Sequence, residues 1–128
     1  MTKTTTAGAQ PADVLDLHCP SRAALALVGN KWALLILTAL VAGPRRNGEL
    51  MRGMDGISQK VLTQTLRELE RNGLVQRTAL GGKPLHVEYA LSASGHSLSE
   101  ALGAVDRWAE AHFQDLAQAR EAFDARVG

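Results

Sequence analysis

The segment from Ile57 to Val75, ISQKVLTQTLRELERNGLV, leaves its backbone little choice. At about 100° per residue, Leu62, Leu66 and Leu69 fall on one side of a helix, and Lys60, Gln64, Arg67 and Arg71 fall within a narrow arc on the other. Ser58 is a good N-cap, and Asn72 with Gly73 supplies a left-handed stop before Leu74 and Val75 begin a strand-like run. The pattern predicts a helix with both ends fixed, docked through its leucines and turned toward something anionic on its cationic side. DNA is the expected target.

The distribution of charge supports that orientation. Residues 44–84 hold eight Lys or Arg against four acids, whereas residues 85–128 hold seven acids against three Arg, so the basic middle of the chain is followed by an acidic end. A basic face of this kind suits phosphate, although solvated charged faces are common in proteins with no nucleic-acid partner. The 128 residues fit one domain, and a 45% apolar content with 4% aromatics suggests a small helical core of Leu, Ala and Val. The polar start MTKTTTAGAQPA has no signal-peptide character, and no apolar run approaches the ~20 residues that span a bilayer, so a cytoplasmic protein without membrane association is expected. A single cysteine, Cys19, excludes an internal disulfide, and without a His/Cys cluster at ligand spacing neither a metal nor a cofactor is expected. No nucleophile triad, carboxylate pair or phosphate loop is present, which argues against an enzyme.

Residues 1–12 read as a disordered tail, and residues 13–128 as one domain. Pro20 suits the first turn of a helix with Ala23, Ala24, Leu27 and Val28 on its apolar side, which Gly29 and Asn30 interrupt. A second helix from about Lys31 to Ala42 is apolar on nearly all sides, as expected at the centre of a small bundle, and Gly43 and Pro44 end it. Asn47 is expected to cap a short helix that turns Leu50 and Met54 inward; with Asp55, Gly56 and Ile57 as the turn, residues 47–72 form a helix-turn-helix. Residues 74–91 alternate around Gly81, Gly82 and Lys83 as a hairpin with one buried face. From about residue 94 to 124 a last helix carries Leu98, Leu102, Val105, Ala109, His112, Leu116, Ala119 and Phe123 at spacings of 4, 3, 4, 3, 4, 3 and 4. Such a heptad seam packs on its own core or on a second copy, and a homodimer is favoured, with Trp108 on the flank of the interface and His112 setting register. His18, His86 and His96 read as solitary, solvated side chains, and Trp32 as a core residue.

Several short strings narrow the reading. Cys19-Pro20, Gly29-Asn30-Lys31-Trp32, Gly43-Pro44-Arg45-Arg46, LTQTLRELERNGLV and VEYALSASG, in this order and spacing, resemble the HxlR-type family of bacterial transcription regulators from about Cys19 to His112. The fold class expected from the resemblance is mostly α with a small β-hairpin: a winged helix-turn-helix between N- and C-terminal dimerisation helices. It implies a dimer on double-stranded DNA, most simply a repressor, with two basic helices in successive major grooves of a palindromic operator and each hairpin as a wing. Ser58, Gln59, Lys60, Thr63 and Gln64 would then reach base edges, with Arg67, Arg71 and Arg46 on phosphates and Arg77 and Lys83 as wing contacts. Surface charge beside Glu68 and Glu70 is the plainer reading of Arg67 and Arg71. Leu98, Leu102, Val105, Trp108, Ala109, His112 and Leu116 would form the dimer interface. The chain departs from the family where two prolines and a basic residue commonly precede Val-Glu-Tyr: here stand Pro84, Leu85 and His86. A less rigid and less cationic wing is implied.

Cys19 has two readings. It is either a small packing residue or a thiol near a helix start, where the dipole, His18 and Arg22 favour the thiolate. The resemblance implies a sensor of quinones, aldehydes or hypochlorite at this place. Control by a small-molecule ligand held between the first helices and the last, or a winged scaffold that binds protein rather than DNA, are the alternatives.

Overall fold

Asn30 starts the central helix by accepting hydrogen bonds from the Trp32 and Ala33 backbone N–H groups at 2.9 and 3.3 Å. The computed structural model describes residues 15, 16, 18 and 20–128; the expected tail at 1–12 and Cys19 lie outside the described residues. Along the chain stand α1 (Pro20–Val28), α2 (Lys31–Leu40), β1 (Arg45–Arg46), α3 (Asn47–Gly53), α4 (Gln59–Arg71), β2 (Val75–Gly81), β3 (His86–Leu91) and α5 (Ala93–Val127). The fold is mostly helical with a small antiparallel sheet, as expected.

Ala33, Ile36, Leu37 and Leu40 of α2 meet Leu50 and Met54 of the α3 region and Leu62, Leu66 and Leu69 of α4, and Ile57, Val75 and Leu91 close the core. Each fully buried leucine contributes about 1.5–3 kcal/mol relative to exposure, so the stripe read from the α4 sequence is what docks that helix. Thr65 joins the stripe unpredicted, and it does so because its hydroxyl donates to the Val61 carbonyl at 2.7 Å, which removes the cost of burying it. Trp32 packs against this core, with the Lys31 ammonium 4.8 Å from its ring centroid.

Several expectations need correction. The central helix stops at Leu40 rather than Ala42, with the Val41 N–H turned onto the Thr38 carbonyl. It is not buried all round: Leu35, Thr38 and Val41 face outward, because α1 and α5 cover only part of its circumference. On α1, Ala23 and Ala24 are exposed and Leu27 makes the core contact. Asn47 does not cap α3. The N-cap position is Arg46, whose N–H donates to Glu49 Oε1 at 2.9 Å, because the chain stays extended through Arg46 to pair with β3.

That pairing is a third strand, which two consecutive arginines gave no reason to expect. The sheet runs β1-β3-β2, with Arg45 opposite Tyr89, Arg46 opposite Glu88, and Arg77 on the far side of Tyr89. The hairpin lacks the single buried face that its alternation suggests. Only Val75 and Leu91 at its base are buried, since no helix underlies the outer half. Gly81 and Gly82 take positive φ of 83° and 93° at the tip, a conformation that suits residues without a β-carbon.

α5 starts at Ala93, beside the expected Ser94, and runs to Val127, a few residues past the expected end near 124. Its cap is Ser92, whose Oγ accepts from the Gly95 N–H at 3.0 Å and donates to the Gly73 carbonyl at 2.5 Å, tying the helix to the turn that ends α4. Among the described residues no single helix is long and apolar enough to cross a membrane.

Candidate nucleic-acid interface

Ser58 N-caps α4 by accepting the Val61 N–H at 3.1 Å, and Asn72 closes the other end by donating from its side chain to the Glu68 carbonyl at 2.8 Å. Between these ends Gln59, Lys60, Thr63, Gln64, Arg67 and Arg71 are all exposed, while Leu62, Leu66 and Leu69 are almost completely buried. The structure thus keeps the predicted set of side chains together on the free side of one rigid helix. Gln59 Nε2 donates to Thr63 Oγ1 at 3.0 Å, which holds two of the base-reading candidates in a fixed mutual geometry.

The three arginines proposed for phosphate are not equivalent. Arg67 makes no ion pair among the described residues. Arg71 lies 3.5 Å from Glu68 in a pair whose side chains are 79% and 53% exposed, so solvent screening leaves it worth little and the guanidinium available. Arg46 is exposed at the entry to α3. On the wing, Arg77 sits mid-strand beside Tyr89, and Lys83 is in the tip with Gly82.

The sequence reading missed a neighbour of these groups. Arg52 of α3 lines a cleft with Arg46, Asn47, Glu49, His86 and Tyr89, between the helix-turn-helix and the wing, with a volume of about 880 Å³. His86 is exposed but not solitary. Arg52 could be found only as one more cation in the basic middle, because nothing in the chain before β3 announces the strand that forms the opposite wall.

The heptad seam divides into two parts. Leu98 and Leu102 are half-buried against the core of their own chain. From Val105 onward the seam is uncovered except at His112, with Val105 56% and Trp108 53% exposed and Ala109, Leu116 and Phe123 exposed as well. His112 is half-buried; its Nδ1 lies 2.9 Å from the Trp108 carbonyl and its ring stacks on Trp108 with centroids 4.6 Å apart. Phe113, Leu25, Leu35 and Val41 are further exposed apolar side chains that the seam did not include. The signal was present for Phe113, which lies four residues beyond Ala109 and three before Leu116, on the flank of the seam.

Near the other end of the chain, Arg22 donates to the Leu15 carbonyl at 3.1 Å and the His18 N–H to Asp16 Oδ1 at 2.9 Å. Between α2 and α5, where the alternative reading puts a small-molecule ligand, lies a cavity of about 260 Å³ lined by Thr38, Val41, Ser99, Leu102, Gly103 and Asp106. Among the described residues no group of three His, Cys, Asp or Glu side chains could hold a metal ion.

Residues 27–117 match the profile of the HxlR-like helix-turn-helix family. The uncharacterized HTH-type transcriptional regulator YtfH of Escherichia coli (strain K12) is 39% identical over 104 residues, which cover 81% of this chain and 82% of that protein. Among solved structures, ytfH from Salmonella typhimurium superposes with a TM-score of 0.80 at 36% identity, covering 87% of this chain and 99% of that one. The redox regulator HypR in its reduced form gives a TM-score of 0.73 at 31% identity, over 77% of this chain and 98% of that one.

Proposed function

The chain belongs to the HxlR-like helix-turn-helix family, whose relatives are transcription regulators, and we propose that it acts as a homodimeric, sequence-specific repressor on a palindromic operator. One observation carries the reading. The leucines of α4 are sunk in the core while every candidate contact on its other side is exposed, next to a wing that projects beyond the core. In this reading Ser58, Gln59, Lys60, Thr63 and Gln64 meet base edges, and Arg46, Arg67, Arg71, Arg77 and Lys83 hold the backbone. The uncovered seam from Val105 to Leu116, with Trp108 and His112, would join the two copies, and Leu98 and Leu102 would brace that surface from their own core.

The division of labour along α4 is testable. Arg67→Ala should weaken binding to all duplexes about fivefold to tenfold near 0.1 M salt, because a phosphate contact carries no base identity. Gln64→Ala should instead alter the preference at one base pair, a contact worth about 1–3 kcal/mol of discrimination. A randomised-duplex selection run on both variants reads the difference, and an unchanged base preference in Gln64→Ala would remove that residue from the reading set.

We also propose that Cys19 senses electrophiles or oxidants. Its support is the thiol's position just before the Pro20 turn, with His18 and Arg22 close in sequence, and the family's inclusion of a redox regulator, HypR. With one thiol per chain, oxidation leads to a bridge between copies, a mixed disulfide or a sulfenic acid, and a quinone would leave an adduct. Treatment with quinone or hypochlorite should change operator affinity in the native protein and leave Cys19→Ser unaffected. Equal responses would rule the thiol out.

A further inference from the structure

We infer that the cavity between α2 and α5 is a binding site for a small neutral molecule with an apolar middle, about one ring in size, and a hydroxyl at each end. Its lining comes from α2, the C-cap Val41 and α5, so the site is separate from the exposed side of α4 and from the wing.

The inner end of the cavity holds an unsatisfied hydroxyl. Ser99 Oγ is buried and has no hydrogen-bond partner among the described residues. A hydroxyl on a helix can donate to the carbonyl four residues back, as Thr38 does to Leu34 at 2.9 Å and Thr65 to Val61 at 2.7 Å. Ser99 makes no such bond, so a donor and its lone pairs are left beside the cavity in a state that costs free energy until a partner arrives. Leu102 and Gly103 are the other half-buried lining residues; the first gives an apolar wall and the second leaves width.

Thr38, Val41 and Asp106 are exposed and form the mouth. The Thr38 proton is committed to Leu34, which leaves lone pairs, and Asp106 offers a carboxylate that makes no ion pair among the described residues. Both therefore accept hydrogen bonds. The Arg107 Nη1 lies 3.3 Å from where a β-carbon at Gly103 would stand, which sets a positive charge near the carboxylate, so a neutral donor suits the mouth better than an ammonium. A ligand carboxylate would meet Asp106 as a like charge. Seven residues, about 10.5 Å of helix rise, separate Ser99 from Asp106. An apolar cavity of about 150 Å³ takes up benzene, so one of about 260 Å³ accommodates a ring with a short arm at each end.

Calorimetric titration of the full chain with para-benzenedimethanol, a neutral diol of this shape, tests the site without DNA. Its relatives are para-methylbenzyl alcohol, which lacks one hydroxyl, and para-hydroxymethylbenzoate, which carries a carboxylate in its place. The diol should bind once per chain with a Kd of about 1 mM or tighter, about fivefold to tenfold more tightly than either relative. Ser99→Ala should weaken the diol by the same factor and bring it level with the mono-alcohol, while the ligand-free Tm holds or rises because an unsatisfied hydroxyl is gone. Asp106→Asn alters an exposed side chain and should narrow the gap between the diol and the carboxylate. No binding of the diol to the native chain, as would follow if a second copy buried the mouth, would overturn the site. So would an unchanged diol affinity in Ser99→Ala, or a fall in that variant's ligand-free Tm, which would show that the hydroxyl is already satisfied.

Discussion

Gly95→Ala is expected to destabilise the fold by about 2–4 kcal/mol, a fall in Tm of about 10 °C, even though alanine is the better helix former. Gly95 is buried in the first turn of α5 with the Leu74 carbonyl packed directly over its α-carbon, and an added β-carbon would enter that oxygen's van der Waals radius. The oxygen has no room to retreat. It accepts the Ser92 N–H at 3.0 Å, and the same serine hydroxyl is bonded to the Gly73 carbonyl, so relief would break the junction between α4, the wing and α5. Gly103→Ala provides the control. There a β-carbon meets only the tip of Arg107 at 3.3 Å, and the substitution should be neutral or stabilising by up to about 1 kcal/mol. Thermal melts of the two variants should move in opposite directions or differ widely; equal melts would show that the junction yields.

Val105→Asp, alone or with Trp108→Asp, should convert a dimer to monomers and lower operator affinity about a hundredfold or more. Both side chains are more than half exposed in the single chain, so their replacement removes almost nothing from its own core. A carboxylate facing its symmetry mate at a seam would be desolvated without a partner. Two linked reading helices bind with an effective concentration that separate monomers lack, which is why the loss is large although no DNA contact is touched. Leu102→Ala behaves differently in this scheme: it packs on its own core and should lower Tm before it changes association. Sedimentation equilibrium separates these outcomes, and a Val105→Asp, Trp108→Asp protein that stays dimeric would place the interface elsewhere.

Much of the fold was legible because α4 carries its instructions locally. The cap at Ser58, the stripe of Leu62, Leu66 and Leu69 and the stop at Asn72 need no partner to be recognised, and the structure places them within a residue of expectation. The positions that escaped depend on distant backbone. β1 exists because β3 offers an unpaired edge to Arg45 and Arg46, so neither its strand character nor the shift of the α3 cap from Asn47 to Arg46 could be read from composition. Alternation in the hairpin was visible, but its depth of burial was not, since that is set by how far the core extends beneath it. Likewise the heptad spacing on α5 was plain, whereas the division after Leu102 between a covered and an uncovered part depends on the length of α2. The exposed side of α4 was legible as a set of residues. The cleft with Arg52 and His86 was not, because its two walls are more than thirty residues apart in the chain.

Binding of the native chain to a duplex retained from its own genome, followed by anisotropy across 50–200 mM salt with stoichiometry from sedimentation, bears most directly on regulation by a DNA-binding dimer. Two chains per palindromic duplex and an affinity that falls about a thousandfold or more over that salt range, as six or more phosphate contacts require, is the predicted result. One chain per duplex, or an affinity indifferent to salt, would contradict it.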